Sequence, residues 1–206
     1  MKRTLMLVTG MAVLAGCATL LSGSEVQRRA EQVFKEGFSK GNPQMAARVV
    51  KQDEVQMLCS KYPRDLPKEI ASRIEDSQKL TIKYPASGKL MGDWRQGEKI
   101  AQDGWGLRFT DTGEPNRQNG GNCYACHQLA PQELSYGTIG STLYQFGKLR
   151  GNSEEIQKYT FGKIYNSNAY LACSNMPRFG HNGILTEQQI MDVVALLLDS
   201  DSPVNK

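Results

Sequence analysis

The stretch Cys123-Tyr124-Ala125-Cys126-His127 constrains this 206-residue chain more than any other. Two thiols stand three positions apart, and an imidazole follows at once. C-x-x-C-H is the attachment pattern of c-type haem. The two thiols reach two vinyl groups on one edge of the porphyrin and form thioethers, and the adjacent histidine turns its ring toward the iron. A zinc site would need further Cys or His ligands at matching spacing. The chain has only one other histidine, His181, and no second C-x-x-C. A dithiol redox site would not need the histidine and would sit in a βαβ pattern, which the sequence lacks. Cys123 and Cys126 are therefore the expected attachment residues, and His127 one axial ligand.

The start of the chain agrees with this chemistry. Lys2 and Arg3 precede an apolar run, Leu5 to Leu14, that is too short to span a bilayer. Small residues follow, as in a secretory signal. Bacterial c-type haem is attached outside the cytoplasm, so export is what the motif requires. Leu14-Ala15-Gly16-Cys17 resembles a lipoprotein box, in which Cys17 would be acylated and become the mature N-terminus. Ordinary cleavage after Ala18 competes with that reading. Two or more acyl chains would anchor the protein stably where one would not. A periplasmic location follows, with a lipid anchor if Cys17 is modified. Residues 1–16 are set aside as the signal peptide.

Without Lys2 and Arg3 the chain carries 23 Lys+Arg against 21 Asp+Glu, a formal +2. No block of basic residues marks a nucleic-acid surface. Nothing after the leader is apolar enough to span a membrane. The remaining length suffices for one domain or two small ones.

Periodicity points to an all-α protein. Ser24 to Lys40 reads as a helix with Val26, Ala30, Val33, Phe34 and Phe38 on one face and Ser24 as its cap. Met45 to Cys59 is ambiguous but leans helical, and Pro67 to Lys79 is a clear helix with Ile70 and Ile74 on one side. Thr81 to Trp94 is turn-rich and reads as a connector. Residues 17–90 thus form a helical extension with no evident chemistry. Residues 91–206 form the haem domain. Within it, a short helix from Arg95 to Ala101 leads through a polar, glycine-rich passage to Cys123. A further helix spans Glu154 to Asn166, and Thr186 to Asp199 is the strongest helix of all. Thr186 and Gln189 form a capping box there, with Ile190, Val193, Val194 and Leu197 as the buried stripe.

An iron held by one histidine needs a sixth ligand or an open site. A His/Met pair raises the potential and suits electron transfer. Of eight methionines, Met1, Met6 and Met11 lie in the leader, and Met45 and Met57 in the early helical region. Met91 lies in the connector and Met191 on the last helix. Met176 stands in Cys173-Ser174-Asn175-Met176-Pro177-Arg178-Phe179-Gly180-His181, a loop just before the last helix. A loop methionine approaches a haem face more easily than one locked on a packed helix, and Pro177 stiffens the loop. Met176 is the expected ligand. His181, giving bis-His ligation, and Cys173, giving a thiolate, are its rivals. Cys59 and Cys173 are the cysteines left over. In an oxidising compartment they suggest a disulfide, and two separate buried thiols are the alternative.

The order of pieces, short helix, C-x-x-C-H, loop methionine, final amphipathic helix, resembles a class I cytochrome c. Three longer blocks resemble a narrower family. Lys89 to Gly104, Gly121 to Gly151 and Asn175 to Asn205, with Ile82-Lys83-Tyr84-Pro85 before them, are similar to the monohaem subunit of the SoxAX cytochrome complex of bacterial thiosulfate oxidation. The resemblance implies one covalent haem with Cys123 and Cys126 attaching it and His127 and Met176 ligating iron. It implies a role within an L-cysteine S-thiosulfotransferase, which joins thiosulfate oxidatively to a cysteine of a sulfur-carrier protein. The catalytic haem is expected on a SoxA-type partner subunit, so no catalytic residue is assigned to this chain. It would receive electrons and pass them to a soluble cytochrome c. One departure is visible: class I cytochromes usually carry Gly-Pro after the haem motif, where a backbone carbonyl orients the histidine, and here Ser141 follows Gly140. A carbonyl of the Thr138–Ser141 turn is expected to serve.

Two other functions compete. A free-standing electron carrier would not need the helical extension. A haem sensor with a labile sixth ligand would join a signalling domain, and none is visible.

Overall fold

The computed structural model describes residues 22–39, 41–42, 47–48, 51–106, 108, 110–111, 114 and 116–206. The leader, Cys17 and Met45 lie outside the described residues. Among the described residues every regular element is helical, so the protein is all-α. The helices are α1 (Gly23–Phe38), α2 (Glu54–Lys61), α3 (Lys68–Lys79), α4 (Trp94–Gln102), α5 (Phe146–Arg150), α6 (Glu154–Tyr165) and α7 (Glu187–Leu198). Single 3-10 turns lie at Cys123–Ala125, Ser167–Ala169 and Pro203–Asn205.

The last helix organises the main core. Thr186 and Gln189 form the expected reciprocal capping box: each side chain accepts from the other's backbone N–H. The buried face is wider than the four-residue stripe, because Gln189 to Leu198 are all buried. A helix covered all round is a central one. Met191 belongs to this core and is no candidate ligand. Helix α4 packs across α7 at Gly97. A Cβ on Gly97 would lie 2.7 Å from the carbonyl carbon of Asp192, so only glycine admits this approach. Asp192 fixes the entry to the crossing by accepting from the Asp93 backbone N–H at 2.9 Å. Leu90, Tyr124, Leu129, Phe161, Ile164 and Val204 complete the core. Asn205 ties α5 to the end of α7. Its Oδ1 accepts from Gly147 N–H at 2.9 Å, and its Nδ2 donates to the Leu197 carbonyl at 3.0 Å.

A second, smaller cluster joins Val55 of α2 and Ile74 of α3 to Ala172, with Leu58, Cys59, Leu66, Ile70 and Ala71 around it. Asp53 and Gln56 form a capping box at the start of α2. Within the ambiguous Met45–Cys59 stretch, Ala47 and Arg48 are helical, residues 51–53 are not, and α2 then runs from Glu54. Asn166, at the end of α6, donates to Gln78 Oε1 at 2.9 Å and to Thr81 Oγ1 at 2.8 Å, joining the two clusters.

Helix α1 departs from expectation in two ways. Its cap is Ser22, whose hydroxyl accepts from Glu25 N–H, rather than Ser24. Its apolar face is not buried, with Val26, Val33 and Phe34 exposed at 52%, 68% and 49%. Periodicity reports which face could be covered, not what covers it. No helix among the described residues is long and apolar enough to cross a membrane.

Candidate functional site

The motif is docked on the end of α4. Gly121 N–H donates to the Ile100 carbonyl at 2.7 Å, and Asn122 N–H to the Asp103 carbonyl at 3.0 Å. Asn122 takes the left-handed conformation, φ 48°, which asparagine tolerates better than most residues. The chain then closes one 3-10 turn. Cys126 and His127 N–H both donate to the Cys123 carbonyl, at 3.1 and 2.9 Å. This turn brings the two half-buried thiols and the imidazole into one short segment.

The following loop folds back over the motif. Gly137 N–H donates to the Tyr124 carbonyl and Gly140 N–H to the Cys126 carbonyl, both at 2.8 Å. Leu143 N–H donates to the Gln128 carbonyl at 2.8 Å. The fold-back sets the histidine. His127 Nδ1 lies 2.6 Å from the Ser141 carbonyl oxygen. A carbonyl only accepts, so Nδ1 carries the proton and Nε2 presents its lone pair. The ring lies against the Gly140 backbone. A Cβ there would sit 2.6 Å from Nε2 and closer still to Cε1 and Nδ1. The carbonyl sought in the Thr138–Ser141 turn is thus that of Ser141. Serine can supply this bond where proline is usual, because the backbone oxygen makes it.

Neither Cys123 nor Cys126 is in a disulfide. Burial pushes the Cys123 thiol up to about 12. At neutral pH it is a neutral group and not a thiolate ready for exchange. Among the described residues, no three His, Cys, Asp or Glu side chains gather where they could hold a metal ion. A zinc site wants four such ligands in most structural cases.

Met176 is half-buried and packs at the rim of the same core as Cys123. Its backbone is held on both sides. Ser167 Oγ–H donates to the Met176 carbonyl at 2.5 Å, and Met176 N–H donates to Ser174 Oγ at 3.2 Å. The rivals are placed elsewhere. Cys173 is bonded to Cys59, so it has no thiolate to offer. His181 lines a cavity of about 310 Å³ with Asp53, Glu54, Arg73, Ile74, Ser77, Gln78 and Arg178. Burial lowers its pKa first, and the Arg178 and Arg48 charges lower it further against the opposing pull of Asp53.

These residues fit a covalently held haem. Two unbonded thiols stand at the attachment spacing, and a histidine with a fixed tautomer bares one nitrogen. The acceptor of that tautomer-fixing bond, the Ser141 carbonyl, is the kind of partner a metal-ligating histidine needs.

No known family model matches the chain. It is 38% identical over 159 residues to an "Uncharacterized lipoprotein" of Aquifex aeolicus (strain VF5), a match that covers 75% of this chain and 73% of that protein. The protein is an all-α chain built around a C-x-x-C-H turn. It belongs to the family of that lipoprotein.

Sequence reasoning missed Asp53, Ser167 and Arg178. Asp53 and Arg178 meet across the fold, 125 residues apart, and Ser167 reaches Met176 from nine residues away; no helical or strand spacing announces either pairing. The Cys59–Cys173 pair carried a signal only because cysteines can be counted.

Proposed function

We propose that this chain is a monohaem class I c-type cytochrome that transfers electrons as the SoxX-like subunit of a thiosulfate-oxidising complex. The observation that carries the haem reading is the His127 Nδ1 bond to the Ser141 carbonyl, within a C-x-x-C-H turn whose thiols are unbonded. The step from cytochrome to thiosulfate oxidation rests on the resemblance of the three sequence blocks to the SoxAX monohaem subunit.

When bound, the haem supplies a one-electron iron couple. The chain's own residues do the rest. Cys123 and Cys126 hold the group covalently. His127 offers Nε2, and its ring is fixed by Ser141 and by the flat face of Gly140. Met176 is the soft second ligand, and a His/Met pair suits electron transfer. The partner subunit carries the chemistry of joining thiosulfate to the sulfur-carrier protein. This subunit takes the electrons onward to a soluble cytochrome c. Residues 1–16 serve as the leader, and Cys17 is acylated. The match to a named lipoprotein supports that anchor.

The test is to purify the tagged protein from its own organism grown on thiosulfate. A larger haem protein eluting in equal amount, with haem reduction that depends on thiosulfate and the carrier protein, is the expected result. A lone polypeptide with one haem would replace this reading with a free-standing carrier.

A further inference from the structure

The loop that carries Met176 is not held by the main core alone. On its N-terminal side, Cys173 is bonded to Cys59 of α2, 114 residues away in sequence. The Ala172 N–H donates to Glu75 of α3 at 3.2 Å, and Ala172 itself is buried in the small cluster. On its C-terminal side, the buried Arg178 guanidinium pairs with Asp53, the residue that caps α2. Four residues further on, the Asn182 carbonyl accepts from Arg48. Met176 lies between these ties, three residues after the first and two before the second.

The ties cross a groove. Between α2 and the loop lies a space of about 320 Å³ lined by Val55, Gln56, Cys59, Met176, Pro177 and Arg178, among others. Side chains that leave such a gap do not fix a loop by packing, because dispersion falls off quickly with separation. A covalent bond and an ion pair, buried on its Arg178 side and open to solvent on its Asp53 side, fix it instead. Both come from the helical extension, for which the sequence suggested no chemistry.

We infer that the α2–α3 unit is a clamp on the Met176 loop, with Cys59–Cys173 and Asp53–Arg178 as positioning pairs that keep Met176 on the iron. The inference rests on the His127/Met176 reading above. A loop tied at both flanks opens less often than one tied at neither, because local opening has its own free energy. An outside ligand can replace Met176 only when the loop opens. The clamp therefore slows ligand exchange without touching the iron, and its two ties act on opposite sides of one residue.

The test uses the full-length holoprotein in its oxidised form, with imidazole as the entering ligand. The sulfur–iron charge-transfer band in the near-red reports Met176 ligation. The rate at which imidazole removes that band is compared with global unfolding by denaturant in each variant. Cys59→Ser with Cys173→Ser is expected to raise the rate about tenfold or more. Asp53→Asn is expected to raise it about threefold to fivefold, and Arg178→Lys, which keeps the cation, by less. These rises should exceed what the fall in global stability accounts for. If the double serine variant fails to fold, Asp53→Asn and Arg178→Lys carry the test. Unchanged rates, or rates that rise only in step with global unfolding, would overturn the clamp. Met176→Ala separates the two claims. Loss of the band leaves the clamp to be judged on the rates, whereas a surviving band removes the ligand assignment and the clamp with it.

Discussion

Helix α7 buries ten of its twelve residues, whereas α2 buries only Val55 among its eight. The two regions are therefore held by different means. Around α7, apolar side chains from α4, α6 and the motif turn interlock, and Gly97 lets α4 approach backbone to backbone. Around α2, three buried residues form too small a core to hold a unit in place, and a disulfide, an ion pair and capping bonds do the fixing. A packed core resists all local motion together. Discrete ties can be removed one at a time, and what they control can be released without unfolding the remainder. The C-x-x-C-H turn sits on the first kind of structure, and Met176 is shared between both.

The comparison breaks most easily in the main core. Leu196 is fully buried. Leu196→Ala should cost about 3–5 kcal/mol of global stability by chemical denaturation, since the site cannot collapse. A loss under 1 kcal/mol would mean that this core is not close-packed. Ile74→Ala, in the small cluster, should cost less, about 2 kcal/mol, because the residue borders a cavity into which neighbours can relax. Hydrogen exchange should show the loss confined to α2 and α3, with α7 amides unaffected. Equal losses in both helices would make the two regions one cooperative unit.

Gly140→Ala acts on the site. The new methyl group meets the imidazole, so the His127 ring must tilt and its bond to Ser141 lengthen. The stability cost should be about 1 kcal/mol. A shifted reduction potential in the holoprotein is the expected reading, and an unshifted one would mean that the ring does not rest on Gly140. The smallest effect concerns acid. Arg108, with the Gly106 and Arg108 backbone N–H groups, holds Asp111 down to about 2 against its burial. A carboxylate depressed below its unfolded value of 3.8 stabilises the fold above that value, and the contribution fades as pH falls from about 4 toward 2. Asp111→Asn should flatten the pH dependence of Tm across that window. An unchanged slope would place the acid sensitivity elsewhere.

Much of this architecture was legible in the sequence because its signals are local. The capping box at Thr186 and Gln189, the helices α3, α6 and α7, and the C-x-x-C-H turn each depend on residues within a few positions of one another. Ser141 was bracketed to a four-residue turn, because a ligating histidine needs a partner for its second nitrogen and the chain must return to supply it. The full burial of α7 was underestimated, since a stripe of four positions says nothing about what packs on the polar-looking flanks at Gln189 and Asp192. The face of α1 was overestimated for the converse reason. Arg178 lies buried against Asp53, a contact 125 residues apart that no periodicity encodes. The disulfide was inferred from cysteine arithmetic, and its position over the Met176 loop gave the helical extension a task.

The central claim is that Cys123 and Cys126 carry a haem. The direct measurement is mass spectrometry of the peptide spanning Cys123 to His127, after denaturation and extraction of non-covalent ligands from protein made in an exporting, haem-attaching host. The account predicts one haem bound through two thioethers and no alkylatable thiol in the peptide. Two free thiols that alkylate quantitatively, with no haem mass, would contradict it.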